Sequence, residues 1–331
     1  MKVKNIGLME FQLPVKSPFI VCFHHKDHFP KGNGKGEPVQ YLTDRRRGED
    51  FDHKAPWRMY YGDKVPGFPV HPHRGFETIT VMMAGFADHF DSKGSKGRYG
   101  EGDVQWMTAG AGVQHSEMFP VLSSEKENPM ELYQIWLNLP KNGKFVEPDY
   151  KMFWNEQIPV VEDGKARVKI ISGSYKNTSA LTPPPASWAA TAENHVGVCL
   201  IDLEPGAEFI LPSVSPTLNR MLYFSEGKDI SIEGTEVEVR HYAELDGNEE
   251  IKITNGLLKS QLLLLEGEPV NEPVAAYGPF VMNTRAEIQE AFAEYEETQF
   301  GGWPWDRNDP INPVDSPRFA SYRHGEKEER P

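Results

Sequence analysis

Two pairs of potential metal ligands stand out in the first half of the chain. His71 and His73 are two residues apart, and His115 and Glu117 repeat the same spacing further along. In a β-strand, residues i and i+2 point to the same face of the sheet. If the two strands are neighbours, three imidazoles and one carboxylate meet at one point. This donor set suits Fe(II), Ni, Zn, Mn or Cu, and it leaves open positions on a six-coordinate metal.

Either pair alone is weak evidence, because histidines at this spacing are commonly ordinary buried or surface residues. Here both pairs lie within strand patterns bounded by glycine turns, which favours the metal-site interpretation. The apolar run 77–83, the segment 104–107 and the alternating segment 130–139 predict strands around the two pairs. Short strands joined by glycine turns are typical of an all-β sandwich or barrel.

The second half of the chain continues the strand pattern and predicts a second β domain of similar size. Its predicted strands lie at 166–171, 196–203, 208–211, 220–224, 236–239 and 261–265. One short helix is predicted at 284–297, because Thr284 and Glu287 form a capping box at its start. Residues 299–331 are rich in Pro, Gly and Asp, and we expect an irregular arm that frays after Tyr322.

The length of 331 residues predicts about two domains. We place an N-terminal metal-binding domain at 1–145, a second domain without metal ligands at 146–298, and the arm at 299–331. The predicted second domain has no histidine pair, so we expect it to bind no metal.

Composition and charge exclude several classes of function. The net charge of −14 opposes binding to nucleic acid and to anionic membrane surfaces. The two cysteines, Cys22 and Cys199, predict buried thiols in a reducing compartment. No apolar run approaches the ~18 residues of a membrane span, and the N-terminus lacks a signal-peptide pattern. We therefore expect a cytoplasmic protein.

The remaining histidines and aromatic residues have less specific interpretations. His24, His25 and His28 have polar neighbours and are expected to be solvated loop residues. His53 and His89 have no paired spacing and are treated as structural. Three side chains close to the ligand pairs are expected to pack in the core, with lining of a cavity as the second role: Phe76, Trp106 and Met107.

Residues 71–78 (HPHRGFET) and 102–118 (GDVQWMTAGAGVQHSEM) closely resemble the pirin family of the cupin superfamily. The segments 278–284 (GPFVMNT) and 300–305 (FGGWPW) are also similar to that family, so the resemblance covers nearly the whole chain. It implies a bicupin, which is an all-β protein of two tandem cupin sandwich or barrel domains. It also implies that His71, His73, His115 and Glu117 are the metal ligands, with Glu77 close to the metal.

The resemblance implies two functions. The first is a dioxygenase that uses Fe(II) to cleave flavonols such as quercetin, or another enol-type compound, with O2; Glu117 would then accept the hydroxyl proton. The alternative is a redox-sensing regulatory protein in which iron biases contact with a protein partner. Under either function we expect no direct contact with nucleic acid or membrane. A monomer is expected, because two internal cupin domains already mimic a cupin dimer.

Overall fold

The described residues fold into antiparallel β-sheets with one α-helix. This computed structural model describes residues 1–39, 45–52 and 54–330, so His53 lies outside the described residues. The all-β architecture predicted from the strand patterns is confirmed. None of the helical segments in these ranges has the length and apolar character that a membrane span needs.

The first part of the chain contains nine strands: β1 (Val3–Leu8), β2 (Phe19–Phe29), β3 (Gly67–His73), β4 (Phe76–Ala84), β5 (Phe86–Asp91), β6 (Lys96–Gly100), β7 (Val104–Thr108), β8 (Val113–Met118) and β9 (Asn128–Asn138). Five strands follow: β10 (Asp149–Phe153), β11 (Val160–Asp163), β12 (Ala166–Ser172), β13 (Ser174–Tyr175) and β14 (Thr178–Ser179). The next eight are β15 (Gly197–Leu203), β16 (Glu208–Leu211), β17 (Asn219–Glu226), β18 (Asp229–Ile232), β19 (Thr235–Glu238), β20 (His241–Asp246), β21 (Ile251–Asn255) and β22 (Ser260–Gly267). The last elements are β23 (Ala275–Tyr277), β24 (Phe280–Met282), α1 (Arg285–Thr298), β25 (Arg318–Ser321) and β26 (Lys327–Arg330).

The chain divides into two compact units. The first comprises Met1–Cys22, Trp136–Asn138 and Glu156–Asn271. It contains a seven-stranded sheet in the order β1-β20-β17-β22-β15-β12-β11 and a four-stranded sheet in the order β16-β21-β18-β19. Its core is an apolar cluster that includes Ile201, Phe209, Leu222, Ile253 and Leu264.

The second unit comprises Phe23–Ile135, Leu139–Asn155 and Glu272–Pro331, and we call it the histidine unit because it carries both ligand pairs. One of its sheets has the order β10-β7-β4-β9-β2, and the other has the order β26-β25-β6-β5-β8-β3. The strands that bear the ligand pairs, β3 and β8, are therefore neighbours in the second of these sheets.

The two units do not follow the expected boundaries at residues 145 and 298. β1 pairs with β20, so the start of the chain belongs with the unit built mainly from the middle of the sequence. β10 pairs with β7, which keeps residues 149–153 in the histidine unit. The prediction that the arm frays after Tyr322 is wrong, because β26 pairs with β25 and β25 pairs with β6. The order of segments along the chain does not reveal such strand pairings, since they depend on contacts between residues that are distant in the sequence.

The predicted helix is confirmed as α1, and its start is a complete capping box. The Thr284 hydroxyl accepts a hydrogen bond from the Glu287 backbone N–H at 3.2 Å, and the Glu287 carboxylate accepts one from the Thr284 N–H at 2.8 Å. This exchange satisfies two backbone donors that a helix start leaves unpaired. Ile288 and Ala291 are the buried residues of α1, so the helix packs through one face.

Candidate metal centre

Pairing between β3 and β8 brings three histidines together. The strands are antiparallel, with His71 opposite His115 and His73 opposite Val113. The three imidazole rings lie 4.4 to 4.9 Å apart between centroids. One ligand nitrogen from each ring lies within 4.8 Å of the other two. The spacing of His71, His73 and His115 thus produces the convergence expected of a metal site.

Backbone carbonyls orient two of the three rings. His71 Nδ1 lies 2.8 Å from the carbonyl oxygen of Pro69, and His73 Nδ1 lies 3.3 Å from that of Pro279. A carbonyl can only accept, so each Nδ1 carries the proton and each Nε2 is the unprotonated nitrogen that can coordinate a metal. Metal-binding histidines are usually held in this way by a hydrogen bond from the other ring nitrogen.

Among the three histidines, His115 gives the strongest indication that the cluster binds a metal ion. Both of its ring nitrogens are buried, and neither has a hydrogen-bond partner among the described residues. Leaving a buried polar atom unpaired costs about 1–3 kcal/mol. A metal ion bound by His71, His73 and His115 would remove this cost for one of the two His115 nitrogens, so the residues present fit a metal ion.

The histidines are uncharged at neutral pH, as metal ligands must be. Burial lowers the pKa of His71 to about 4 and holds the pKa of His73 and His115 well below the usual imidazole value. Repulsion between the imidazoles acts in the same direction, because protonating one ring disfavours protonating the next. Neutral imidazole is the form that coordinates a metal.

Glu117 lies at the edge of the histidine cluster. Its Oε2 is 3.8 Å from His115 Nε2 and accepts a hydrogen bond from the Gln134 amide at 2.9 Å. Its Oε1 accepts one from the Thr80 hydroxyl at 3.1 Å. Burial raises the pKa of the Glu117 carboxyl, so this carboxylate is more basic than one in water. That Glu117 completes the ligand set stays a prediction.

Phe76 and Glu77 begin β4, directly after the first ligand pair. The Phe76 ring meets the His73 ring edge-on, with centroids 4.9 Å apart. Phe76 therefore forms part of the wall around the cluster. Glu77 is fully buried and accepts a hydrogen bond from the Thr108 hydroxyl at 2.7 Å. Its expected contact with a ligand imidazole or a metal-bound water stays a prediction.

Trp106 and Met107 are both buried in β7 but differ in what they face. The Trp106 ring packs edge-on against Phe153, which is the expected core role. Met107 lines a cavity of about 370 Å3 together with Val113. Val113 precedes His115 by two residues on β8, so both side chains point to the same face. The cavity therefore adjoins the ligand-bearing strand.

His89 is a buried residue of the site that the sequence reasoning treated only as structural. It lies opposite Glu117 in the β5–β8 pairing, and its ring centroid is 5.6 Å from that of His115. It accepts a hydrogen bond from Gln105 at 2.8 Å and stacks on Tyr150 at 4.7 Å. The signal that could have identified it is the i, i+2 spacing of His89 and Asp91, which repeats the spacing of the ligand pairs.

Segments from the end of the chain brace the ligand strands. Arg74, next to His73, forms a two-point ion pair with Glu294 of α1, at 2.8 and 2.7 Å. Gln114, next to His115, accepts a hydrogen bond from the Tyr295 hydroxyl at 2.9 Å. Gln114 thus points away from the cluster, as strand alternation requires. Helix α1 therefore holds both ligand strands from outside.

The expectation that the histidines near residue 25 lie in a loop is wrong, and so is the expected solvation of His25, whereas His28 is exposed as expected. His24, His25 and His28 all lie in β2, and His25 is only 3% exposed. His25 Nδ1 lies 2.9 Å from the Tyr60 hydroxyl, which donates to Asp27 at 2.6 Å. Strand formation buries alternate residues here, although the local sequence is polar. The two cysteines are buried and unpaired as predicted, and burial raises the pKa of both thiols.

The fold and the site define a two-domain cupin protein with a histidine cluster in one unit. The model of the pirin family matches residues 38–137, and the model of the pirin C-terminal cupin domain matches residues 198–301. A pirin-like protein of Solanum lycopersicum is 37% identical over 271 residues, which is 80% of this chain and 88% of that protein. The chain belongs to the pirin family.

Two further comparisons agree with this assignment. A pirin-like protein of Caulobacter vibrioides is 36% identical over 239 residues, or 72% of this chain and 82% of that protein. The crystal structure of a quercetin 2,3-dioxygenase from Acinetobacter baumannii matches with a TM-score of 0.71 at 26% identity. That match covers 91% of this chain and 98% of the other.

Proposed function

We propose that this protein is a metal-dependent dioxygenase that acts on hydroxylated aromatic compounds of the flavonol or enol type. The observation that carries the proposal is His115, whose two buried nitrogens face a cluster of neutral imidazoles without a partner among the described residues. The likeness to a protein named quercetin 2,3-dioxygenase supports the choice of substrate class.

The proposed cofactor is Fe(II), held by His71, His73, His115 and Glu117. Ni, Zn, Mn and Cu accept the same donor set, so the donors alone do not select iron. When bound, the metal would lower the pKa of a substrate hydroxyl and hold it beside O2.

The protein's own residues would supply a base and an apolar wall that excludes water. Glu117 would accept the proton of the substrate hydroxyl at a carboxylate oxygen, and burial raises the pKa of this carboxyl toward that of a useful base. Thr80 and Gln134 hold the carboxylate in place through their hydrogen bonds. Phe76 lies against His73 and would exclude water from the reacting atoms.

The neighbouring cavity supports an enzyme over a closed redox switch. Small-molecule sites typically have volumes of about 300 Å3 or more. The cavity beside β8 measures about 370 Å3, and an apolar side chain of the ligand-bearing strand, Val113, lines it. A redox switch requires no such space.

The experiment that tests the proposal is an anaerobic assay of the Fe(II)-loaded protein with quercetin. Oxygen is then added, and the loss of flavonol absorbance is recorded. We expect turnover that the His115→Ala variant lacks, together with loss of metal but retention of the β-sheet circular dichroism spectrum. The matched control is His28→Ala, which removes an exposed histidine of β2 and should behave as wild type. Stoichiometric iron with no turnover of flavonols or enols would overturn the proposal and favour the regulatory alternative.

A further inference from the structure

The cavity beside the histidine cluster is partly built by a segment that neither family model covers. The two models end at residues 137 and 301. We use the term C-terminal hairpin for residues 318–330, which comprise β25, β26 and the turn between them. The hairpin contributes Tyr322, Arg323, His324, Glu326 and Glu328 to the lining of the cavity.

Close backbone packing fixes the position of the C-terminal hairpin. Ala320 of β25 lies opposite Gly97 of β6. A Cβ atom at residue 97 would lie 2.6 Å from the Phe319 carbonyl oxygen and 2.8 Å from the Tyr150 hydroxyl, so only glycine permits this approach. The Trp154 indole N–H also donates to Glu328 at 2.7 Å. The hairpin is therefore a fixed wall of the cavity.

The side chains in the wall favour a flat ligand that carries polar groups. Tyr322 lies beside Tyr150, with ring centroids 5.6 Å apart and planes tilted by 56°. Its hydroxyl donates to Glu328 at 3.1 Å, which fixes the ring. Three buried apolar residues continue the surface inward: Met107, Val113 and Met152. More than half of the lining residues are charged or polar, so the wall suits a planar ring that carries several hydroxyl groups.

Most of the charged residues of the lining are at least partly exposed, whereas Asp91 is buried. Arg323, His324 and Glu326 are exposed residues of the hairpin turn. Lys93 and Lys151 are partly exposed on the facing segments. Four carboxylates line the cavity as well, those of Asp91, Asp149, Glu326 and Glu328. The charged groups of the lining can therefore both donate to and accept from the hydroxyls of a ligand.

The cavity adjoins β8, and its lining does not include the candidate ligands His71, His73, His115 and Glu117. Val113 lies directly opposite His73 in the β3–β8 pairing. Tyr150 stacks on His89, and the His89 ring is itself 5.6 Å from that of His115. A planar ligand packed against Tyr322 would thus lie on the side of the barrel that carries β8.

We propose that the C-terminal hairpin is a specificity element of the site, and that Tyr322 packs against a planar hydroxylated aromatic substrate. This inference rests on the proposed function and adds the surface that selects the substrate. Because residues beyond 301 lie outside both family models, the substrate preference of this chain is set in part by a segment particular to it and to proteins with a similar extension.

The test measures quercetin binding to the full-length, Fe(II)-loaded protein under anaerobic conditions, where no turnover occurs. We expect Tyr322→Ala to raise the Kd about fivefold or more, because the aromatic contact is lost. Tyr322→Phe keeps the ring and should stay within about twofold of wild type. The matched control, Glu329→Ala, changes an exposed residue of the same hairpin that does not line the cavity, and its Kd should equal that of wild type.

A second variant guards against a folding defect in Tyr322→Ala. Glu326 is exposed, so Glu326→Trp should fold normally while its indole narrows the cavity, and it should also raise the Kd. Unchanged binding in both Tyr322→Ala and Glu326→Trp, or no saturable binding to wild type, would overturn the inference. Turnover measured separately in O2 distinguishes the two proposals. If the wild type turns over quercetin but the variants bind it as the wild type does, only the hairpin proposal is refuted. If the variants bind quercetin more weakly but the wild type does not turn it over, only the dioxygenase proposal for quercetin is refuted.

Discussion

Arg98 anchors the C-terminal arm inside the histidine unit, and its removal should destabilise that unit strongly. The side chain is 1% exposed and forms a two-point ion pair with Asp88, with both N···O distances 2.8 Å. It also donates to four carbonyl oxygens of the arm, those of Asn312 (3.1 Å), Pro313 (2.9 Å), Val314 (3.1 Å) and Ser316 (3.2 Å). One guanidinium therefore joins β5, β6 and the arm.

The Arg98→Met variant keeps most of the volume of the side chain but leaves Asp88 buried without its charge partner. Breaking a buried ion pair on one side typically costs about 3–5 kcal/mol. Four arm carbonyls lose a donor as well. We expect the free energy of unfolding of the histidine unit to fall by about 4 kcal/mol.

Urea unfolding followed by tryptophan fluorescence measures this loss. The signal reports mainly on the histidine unit, because that unit contains five of the seven tryptophans: Trp57, Trp106, Trp154, Trp303 and Trp305. The control is the double variant Arg98→Met/Asp88→Asn, which removes the unpaired charge and should recover at least about 1 kcal/mol of the loss. A single variant within about 1 kcal/mol of wild type would refute the anchoring role.

Three further predictions concern α1 and the cluster. Thr284→Ala removes the hydroxyl that caps α1 and should lower stability by about 1 kcal/mol in thermal unfolding, while Thr284→Ser should restore it. Glu294→Gln breaks the ion pair with Arg74 and should weaken Co(II) binding by up to about tenfold in a metal titration. The exposed control Glu290→Gln should bind as wild type, and equal affinities in the two variants would contradict the bracing role. Burial lowers the pKa of His115 in the folded state. As the pH falls below about 6.5, His115 is therefore protonated in the unfolded chain before it is protonated in the folded protein. This difference lowers the free energy of unfolding as the pH falls. Metal-free His115→Gln should therefore lose less stability than wild type between pH 7 and pH 5, by up to about 1.4 kcal/mol per pH unit, and parallel pH profiles would refute this.

The sequence predicted the features that depend on local spacing. The i, i+2 histidine pairs, the strands around them and the capping box of α1 follow from periodicity that is visible in short segments. The position of Gln114 also follows from strand alternation alone. These predictions succeeded because each depends on residues within about one element of each other.

The features that the sequence did not predict depend on pairing between distant segments. His89 joins the site only because β5 pairs with β8 and places it opposite Glu117. The C-terminal hairpin forms because β25 pairs with the edge of β6, although the sequence around it is rich in proline and charged residues. His25 is buried in a polar run because its strand alternates between two faces. Local composition contains no information on such pairing.

The arrangement of the histidine cluster also depends on contacts with the end of the chain. The first family model covers the ligands but ends at residue 137, whereas the carbonyl that orients His73 belongs to Pro279. Gly75 makes this approach possible, since a Cβ atom there would lie 2.0 Å from the carbonyl oxygen of Val281. Arg74 lies between His73 and Gly75 in the sequence, and Glu294 holds it through two hydrogen bonds. The spacing of the histidines is therefore a local property of the sequence, but the orientation of the His73 ring is fixed only when the last third of the chain has folded onto β3.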